Sequence, residues 1–553
     1  MSDRQPHLQR DSNGRMSSNN RSGNPTFQST SAKHPIRNRI LKDATVHSAP
    51  SEHSGTFEAL LAFPASRPGE LPSFRLNAQL FEALHLTRTV PHRASTVVLE
   101  NPRIPAGSSA AGRHPAGNGG PIAGDEPDRQ LRSHYTGIYF FPMNRATLTS
   151  HGLLCVVHRY ISRRLLRPCT IIGGQYPVDR MWKKVAVYGL CVAEIKKDCS
   201  GSWRVIPGRY SRRITERTPV DIAGPARGSG LLSTKYSPDG TRTRGIFVDC
   251  AYSFTPWRTY LVCEKNWAFY FANRTGRSRE QARYGISTES SRKGWVENDR
   301  NAPEHVRFDA SAWGNDAKED YRNEPNCHGW ILEIDPFNPE SMPKKRTAMG
   351  RLAHACAWLA PVKEGHPLVW YLSDDDPNEY IYKFVTKTRF HRRTACGDML
   401  DEGTLYAARF NEDGTGDWLA LDLGEPSFRA AAAARHAVFR NQAEVLVNTR
   451  LAADVVGATA MNRPQWKSVY PQACEIYLST TDSRAGMAQA AHPPAVRAPE
   501  PCGHIVRWSE QDRRSFATKF TWDLVSIAEE DENPVQFSGS GPEHLPNRRA
   551  SPA

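Results

Sequence analysis

No Cys-x-x-Cys pair occurs among the 11 cysteines of this sequence, so a zinc ribbon is not expected. The cysteines are odd in number and scattered from Cys155 to Cys502, which is not the spacing of a small disulfide scaffold. They read as reduced thiols that pack as small hydrophobes. No run of 18 apolar residues exists, so no transmembrane helix is expected. Arg37, Arg39 and Lys42 are followed by the polar stretch DATVHSAPSEHSG instead of an apolar segment, so no competent export signal is visible. Zinc-finger, RNP-type and long Lys/Arg motifs are missing too. The net charge of +14 therefore reads as a solvated basic surface with basic tails, and no nucleic-acid partner is expected. Apolar residues make up 39% of the chain, below the usual range of roughly 45–50%. With 40 Pro and 39 Gly, much of the chain must be turn or loop.

What is present falls into three parts. Residues 1–133 read as a low-complexity, disordered N-terminal region. MSDRQPHLQRDSNGRMSSNNRSGNP is rich in Ser, Asn, Arg and Gly, and IPAGSSAAGRHPAGNGGPIAG has linker composition. FEALLAF and LFEALHL between them suggest short local helices. From His134 the rhythm changes to short apolar runs bounded by turn signals, among them GLLCVV, TYLVCE, GWILEID, LVWYLS, YIYKFV, EIYLST and HIVRW. Their length and their Val, Ile, Tyr and Trp content suit strands. Asp239-Gly240 and Asp413-Gly414 supply turns. The Ala-rich stretch Arg429–Glu444 predicts the main helix. Residues 134–527 thus predict an all-β domain, a sandwich, barrel or propeller, and its size favours a propeller although no WD or Kelch repeat is visible. The polar segment 528–553 reads as a disordered tail.

Several stretches then align in order: SRRITERTP, AGPARG, GTRTRGIFVDCAYSFTPWRTYLVCEKN, EPNCHGWILEIDPFNPESMPKKRTAMGRLAH, YLSDDDPNEYIYKFV, LDEGTLYAARFNEDGTGDW, VNTRLAADVVGATAMNRPQW and GHIVRW. Together they resemble the PhoX-type alkaline phosphatases, a bacterial family of phosphomonoesterases, over about residues 134–527. The resemblance implies a β-propeller with an iron and calcium site at its central face and a phosphate monoester as substrate. It also implies a periplasmic or secreted location, although no competent export signal is visible, which leaves a cytoplasmic location open. The family's further propeller strands after GHIVRW are not matched, which predicts a propeller incomplete at its C-terminal end and a degraded or truncated member.

The resemblance assigns roles residue by residue. Cys250 stands where the family has an iron-ligating Cys, but it is followed here by Ala251, Tyr252, Ser253 and Phe254, so both family glycines are gone and a buried thiol remains the alternative. Glu264 matches the first Glu of a Cys-Glu-Glu-Asn and is a metal candidate; the second Glu is Lys265. Asp374 and Asp375 match a carboxylate pair, which would serve a cation or close a turn. Arg463 matches a phosphate-binding Arg and is the catalytic and substrate-binding candidate, while Arg450 would contact phosphate or form a salt bridge. His158 reads as structural, and Tyr188 replaces a family His.

Carboxylates of the family are missing at Arg159, Lys265, Ala355, Asn462 and Gln465. Packed cations need anionic ligands, and each roughly 1.4 kcal/mol of lost ligation weakens binding about tenfold. The full metal cluster is therefore not expected to assemble. Two readings follow: a phosphatase with impaired turnover, relying on Cys250, Glu264, Asp374, Asp375 and Arg463, or a catalytically inactive propeller with a structural or binding role.

Overall fold

A computed structural model of the protein describes residues 135–158, 189–206, 208–291, 296, 306–470, 474–480 and 504–527. The regions 1–133 and 528–553, expected to be disordered, lie outside the described residues, as do Arg159 and Tyr188.

The apolar runs become strands. A first, five-stranded sheet holds β1 (Tyr135–Pro142), β2 (His151–His158), β3 (Gly189–Lys197), β4 (Trp203–Ile206) and β5 (Arg212–Thr215), in the order β1-β2-β3-β4 with β5 also on β3. A second holds β6 (Pro219–Ala223), β7 (Arg242–Arg244), β8 (Val248–Phe254), β9 (Tyr260–Glu264), β10 (Ile331–Ile334) and β11 (Lys344–Arg346), ordered β7-β6-β11-β10-β9-β8. Only the β6–β11 pairing in it is parallel.

The largest sheet has nine strands. It uses β12 (His354–Leu359) and β13 (Pro367–Asp374), but not β14 (Pro377–Glu379). It continues through β15 (Ile381–Arg389), β16 (Gly403–Phe410) and β17 (Thr415–Ala420). The two-residue β18 (Met461–Asn462) pairs with β14 outside the sheet. The rest of the sheet is β19 (Pro464–Tyr470), β20 (Glu475–Thr480), β21 (His504–Glu510) and β22 (Lys519–Ile527), running β17-β22-β21-β20-β19. The β17–β22 join is thin, Thr415–Asp417 against Lys519–Thr521. Its far end, β19, comes back beside β12, so the sheet is nearly closed on itself and reads as two blades sharing an outer edge.

The edge strands β1, β8, β12 and β19 lie side by side in that order. That is the arrangement of a β-propeller, with inner strands gathered around an axis and sheets radiating from it. Strand alternation explains the packing. In β9, Tyr260 and Val262 face the first sheet with Tyr139 and Leu153, while Leu261 and Cys263 face the third with Trp370 and Leu372. In β13, Leu368 and Trp370 join that second core and Val369 and Tyr371 pack toward Trp508 and Phe520. Each fully buried side chain of this kind contributes roughly 1.5–3 kcal/mol.

The helices are short: α1 (Arg279–Ala282), α2 (Pro426–Ala434), α3 (Gln442–Val447) and α4 (Thr449–Val456). The single helix expected over Arg429–Glu444 is instead two. Pro426 starts the first, and His436 takes a left-handed φ of 53° just after it ends. Asn441 then caps the second by accepting from the Glu444 amide at 3.0 Å. A good N-cap and tertiary packing override the helix propensity of the alanine run. No helix of the described residues is long and apolar enough to cross a membrane.

Candidate functional site

Three blades end near the axis in buried charged groups. Glu264, the last residue of β9, has no exposed surface. Its Oε1 accepts from the Phe247 amide at 3.1 Å, from His328 Nδ1 at 3.2 Å and from Lys345 Nζ at 2.9 Å. Its Oε2 accepts from the amides of Gly329 and Trp330 at 2.9 and 3.1 Å. Lys345 comes from the centre of β11, and its ammonium also donates to the Cys327 carbonyl at 2.7 Å. Burial by itself raises the Glu264 carboxyl, but Lys345 and His328 outweigh it and hold the group at about 2. The same burial lowers the Lys345 ammonium, and burial together with Lys345 brings the His328 imidazole down to about 3. A carboxylate with five protein donors is satisfied without a metal ion.

The chain leaves β13 through Asp374 and Asp375. Asp374 is gripped by both arms of Arg450 from α4, Nε at 2.7 Å and Nη2 at 2.6 Å, and accepts from the Ala353 amide at 3.2 Å. Arg450 Nη2 also donates to Asp376 at 2.6 Å, and its guanidinium stacks on the Tyr284 ring. Beyond it Glu379 pairs with Arg283, which holds Asp454 at 2.7 Å. Arg450 is thus the centre of an inter-element ion network, with both partners buried at the Asp374 contact.

Asp375 looks the other way, toward the inner strands. Its buried carboxylate pairs with the Lys265 ammonium, accepts from Arg463 Nε at 2.9 Å and from Gln465 Nε2 at 3.0 Å. Those donors come from the end of β9, from the β18–β19 junction and from β19, so one carboxylate joins three blades. Arg463 has a left-handed φ of 47° immediately before Pro464, a backbone state that costs of order 1–3 kcal/mol and is held by its surroundings. Its side chain is 38% exposed, so the guanidinium reaches from the buried Asp375 to solvent.

Two residues after Gln465 on β19, Lys467 is fully buried and donates to the Leu372 carbonyl. Burial brings its ammonium down to about 7. His354, at the start of β12, is buried as well; burial lowers it to about 4, and its Nε2 donates to the Gly350 carbonyl at 3.0 Å. Ala355 follows it on the inner strand and is also buried.

The structure therefore brings Asp375, Arg463, Lys265 and Gln465 together and sets Asp374 with Arg450 beside them. Glu264 lies in its own cradle. Cys250 falls on inner strand β8, next to β12; its side chain is outside the described residues. His158 is buried at the end of β2. Sequence reasoning missed Lys345, His328 and Lys467. The first two sit in quoted segments, KKR and CHGW, but nothing in a three-residue strand says which lysine points inward.

The iron and calcium implied by the resemblance meet a donor set that does not fit them. Each carboxylate assigned to metal is engaged by a protein cation: Glu264 by Lys345, Asp374 by Arg450, Asp375 by Lys265 and Arg463. Among the described residues no group of three or more His, Cys, Asp or Glu side chains is arranged so that it could hold a metal ion. A further unit positive charge about 4 Å from a fixed ammonium is repelled by roughly 4 kcal/mol at an effective dielectric near 20, and a divalent ion by about twice that.

Comparison with known proteins places this geometry. The family model described as alkaline phosphatase PhoX matches residues 111–547. Among solved structures, Pseudomonas fluorescens PhoX in complex with vanadate, a transition state analogue, is similar at a TM-score of 0.64 and 33% identity, over 78% of this chain and 73% of that one. A comparison with curated proteins finds no match.

Proposed function

The chain belongs to the PhoX alkaline phosphatase family, and on that premise we propose that it takes phosphate monoesters at the axial end of its blades and hydrolyses them at an impaired rate. The observation that carries the reading is Arg463, strained, partly exposed and fixed against Asp375. A planar guanidinium at a site mouth is suited to the oxygens of a phosphoryl group, and Lys265 behind it adds a second positive charge toward the same corner. Such charges stabilise a phosphoryl group in transfer, where positioning and electrostatics supply most of the rate. The vanadate bound by the Pseudomonas fluorescens relative is a phosphoryl-like oxyanion, consistent with this assignment.

Impairment follows from the donor set. The family is a metal-dependent one, and iron and calcium are the ions proposed for it. The positions that would bring further carboxylates to them hold Lys265, Ala355, Asn462 and Gln465 here. The second reading, a non-catalytic propeller, is favoured by the same ion pairs, since every described candidate ligand is already engaged within the chain.

Hydrolysis of p-nitrophenyl phosphate with iron and calcium supplied separates the two. The impaired enzyme shows slow turnover that Arg463→Ala removes and that Ala355→Glu with Gln465→Glu raises roughly tenfold or more, one step of about 1.4 kcal/mol. No turnover above the metal-only background, or a background rate that neither change moves, rejects the enzyme reading and leaves the inactive propeller.

A further inference from the structure

The residues that replace family glutamates at positions 265 and 465 do more than remove charge. Both turn to Asp375, Lys265 as an ion pair and Gln465 through its amide at 3.0 Å. Lys265 is only 6% exposed and Asp375 not at all. Separating this ammonium from its partner would leave the Asp375 carboxylate buried and uncompensated, so Lys265 is a fixed cation. Arg463 supplies a second positive charge on the same carboxylate, and it is the member that meets solvent. The three ionisable groups sum to one positive charge. The neighbouring carboxylates Asp374 and Asp376 both bond Arg450 at 2.6 Å, whose single charge offsets one of them, so it is the exposed Arg463 guanidinium and not a net local charge that a phosphate meets.

We propose that Lys265 stands in for a metal ion at Asp375, so that this corner, completed by Arg463 and Gln465, binds the phosphate group of a monoester without bound metal. The inference rests on the reading of Arg463 as the phosphate contact. It goes further in making the binding step independent of iron and calcium, while hydrolysis stays impaired. Lys265 is a positioning residue that keeps Asp375 neutralised; Arg463 touches the ligand.

The experiment is calorimetric titration of the full chain with inorganic phosphate, first in excess chelator and then with iron and calcium restored, with metal content of each sample measured by elemental mass spectrometry. The expected result is saturable phosphate binding of equal affinity in both conditions and no stoichiometric metal. Arg463→Gln, at the exposed member, weakens the chelator-resistant binding roughly tenfold or more, as loss of a charge-assisted contact does. Lys265→Glu with Gln465→Glu loses that binding and recovers it only with metal. Should the double variant fail to fold by circular dichroism, Arg463→Gln carries the test alone. Phosphate binding by the wild-type chain only when metal is present overturns the inference and leaves the phosphate site standing. No phosphate binding by the folded chain in either condition overturns the phosphate reading as well.

Discussion

A lysine sealed inside a sheet either finds a partner or surrenders its proton. Lys467 is buried on inner strand β19 with the Leu372 carbonyl as its acceptor, and burial takes its ammonium from 10.5 to about 7. The unfolded chain holds this proton up to about 10.5, the folded chain only to about 7. Between those values the unfolded state binds more protons, so this residue makes stability rise with pH across the window. Below about 7 both states are protonated and the folded chain carries the full cost, on the order of 5 kcal/mol. Lys467→Met should therefore raise the thermal midpoint at pH 6 and change it little near pH 10.5; an equal effect at both pH values would show that packing, not charge, sets the outcome. Asp375, Arg463 and Glu264 were legible as site candidates because the resemblance runs through their segments. Lys467 was not, since its strand PQWKSVY looks no different from an exposed one until β12 and β13 close over it.

At the scale of an element, the turn Cys327–Trp330 delivers two backbone amides to Glu264. It does so through Gly329, whose φ of 93° is in the left-handed half of the map. A Cβ added there would lie 2.6 Å from Trp267 Nε1 and 2.9 Å from the Leu352 carbonyl. Gly365, at φ 75°, has open space around the same position. Both Gly→Ala changes incur backbone strain of order 1–3 kcal/mol, and only Gly329→Ala adds a collision. A urea titration should place the midpoint of Gly329→Ala clearly below that of Gly365→Ala; equal midpoints would mean that the turn around Glu264 yields without cost. The strands were readable from periodicity, and Asp239-Gly240 and Asp413-Gly414 do turn with positive φ at Gly240 and Gly414. The helix over Arg429–Glu444 was misjudged because the Asn441 cap, with Glu444 three residues on, was outweighed by five consecutive alanines.

At the scale of the molecule, the all-β class was legible from strand rhythm and the propeller from length together with the family resemblance, but the order of blades was not. Lys265, Asp375 and Gln465 lie far apart in the sequence, and only the gathering of β8, β12 and β19 brings their blades' ends together. The thin β17–β22 join bears directly on how the blades open. If the nine-stranded sheet is two blades sharing an edge, its three residue pairs at Thr415–Asp417 form a much shorter ladder than those within either blade, although Phe520 in it packs on Phe410 and Trp418. Strands β13, β15 and β16 are paired on both sides and buried between cores that include Trp370, Phe384 and Trp508. Amide exchange reports such differences, because locally opened ladders exchange before the globally protected ones. The β17–β22 amides should exchange well ahead of those in β13, β15 and β16, with the short outer strand β7 behaving like the join. Protection at the join equal to that of β15 would mean the nine strands open as one cooperative sheet, and the two-blade reading would give way to a closed barrel.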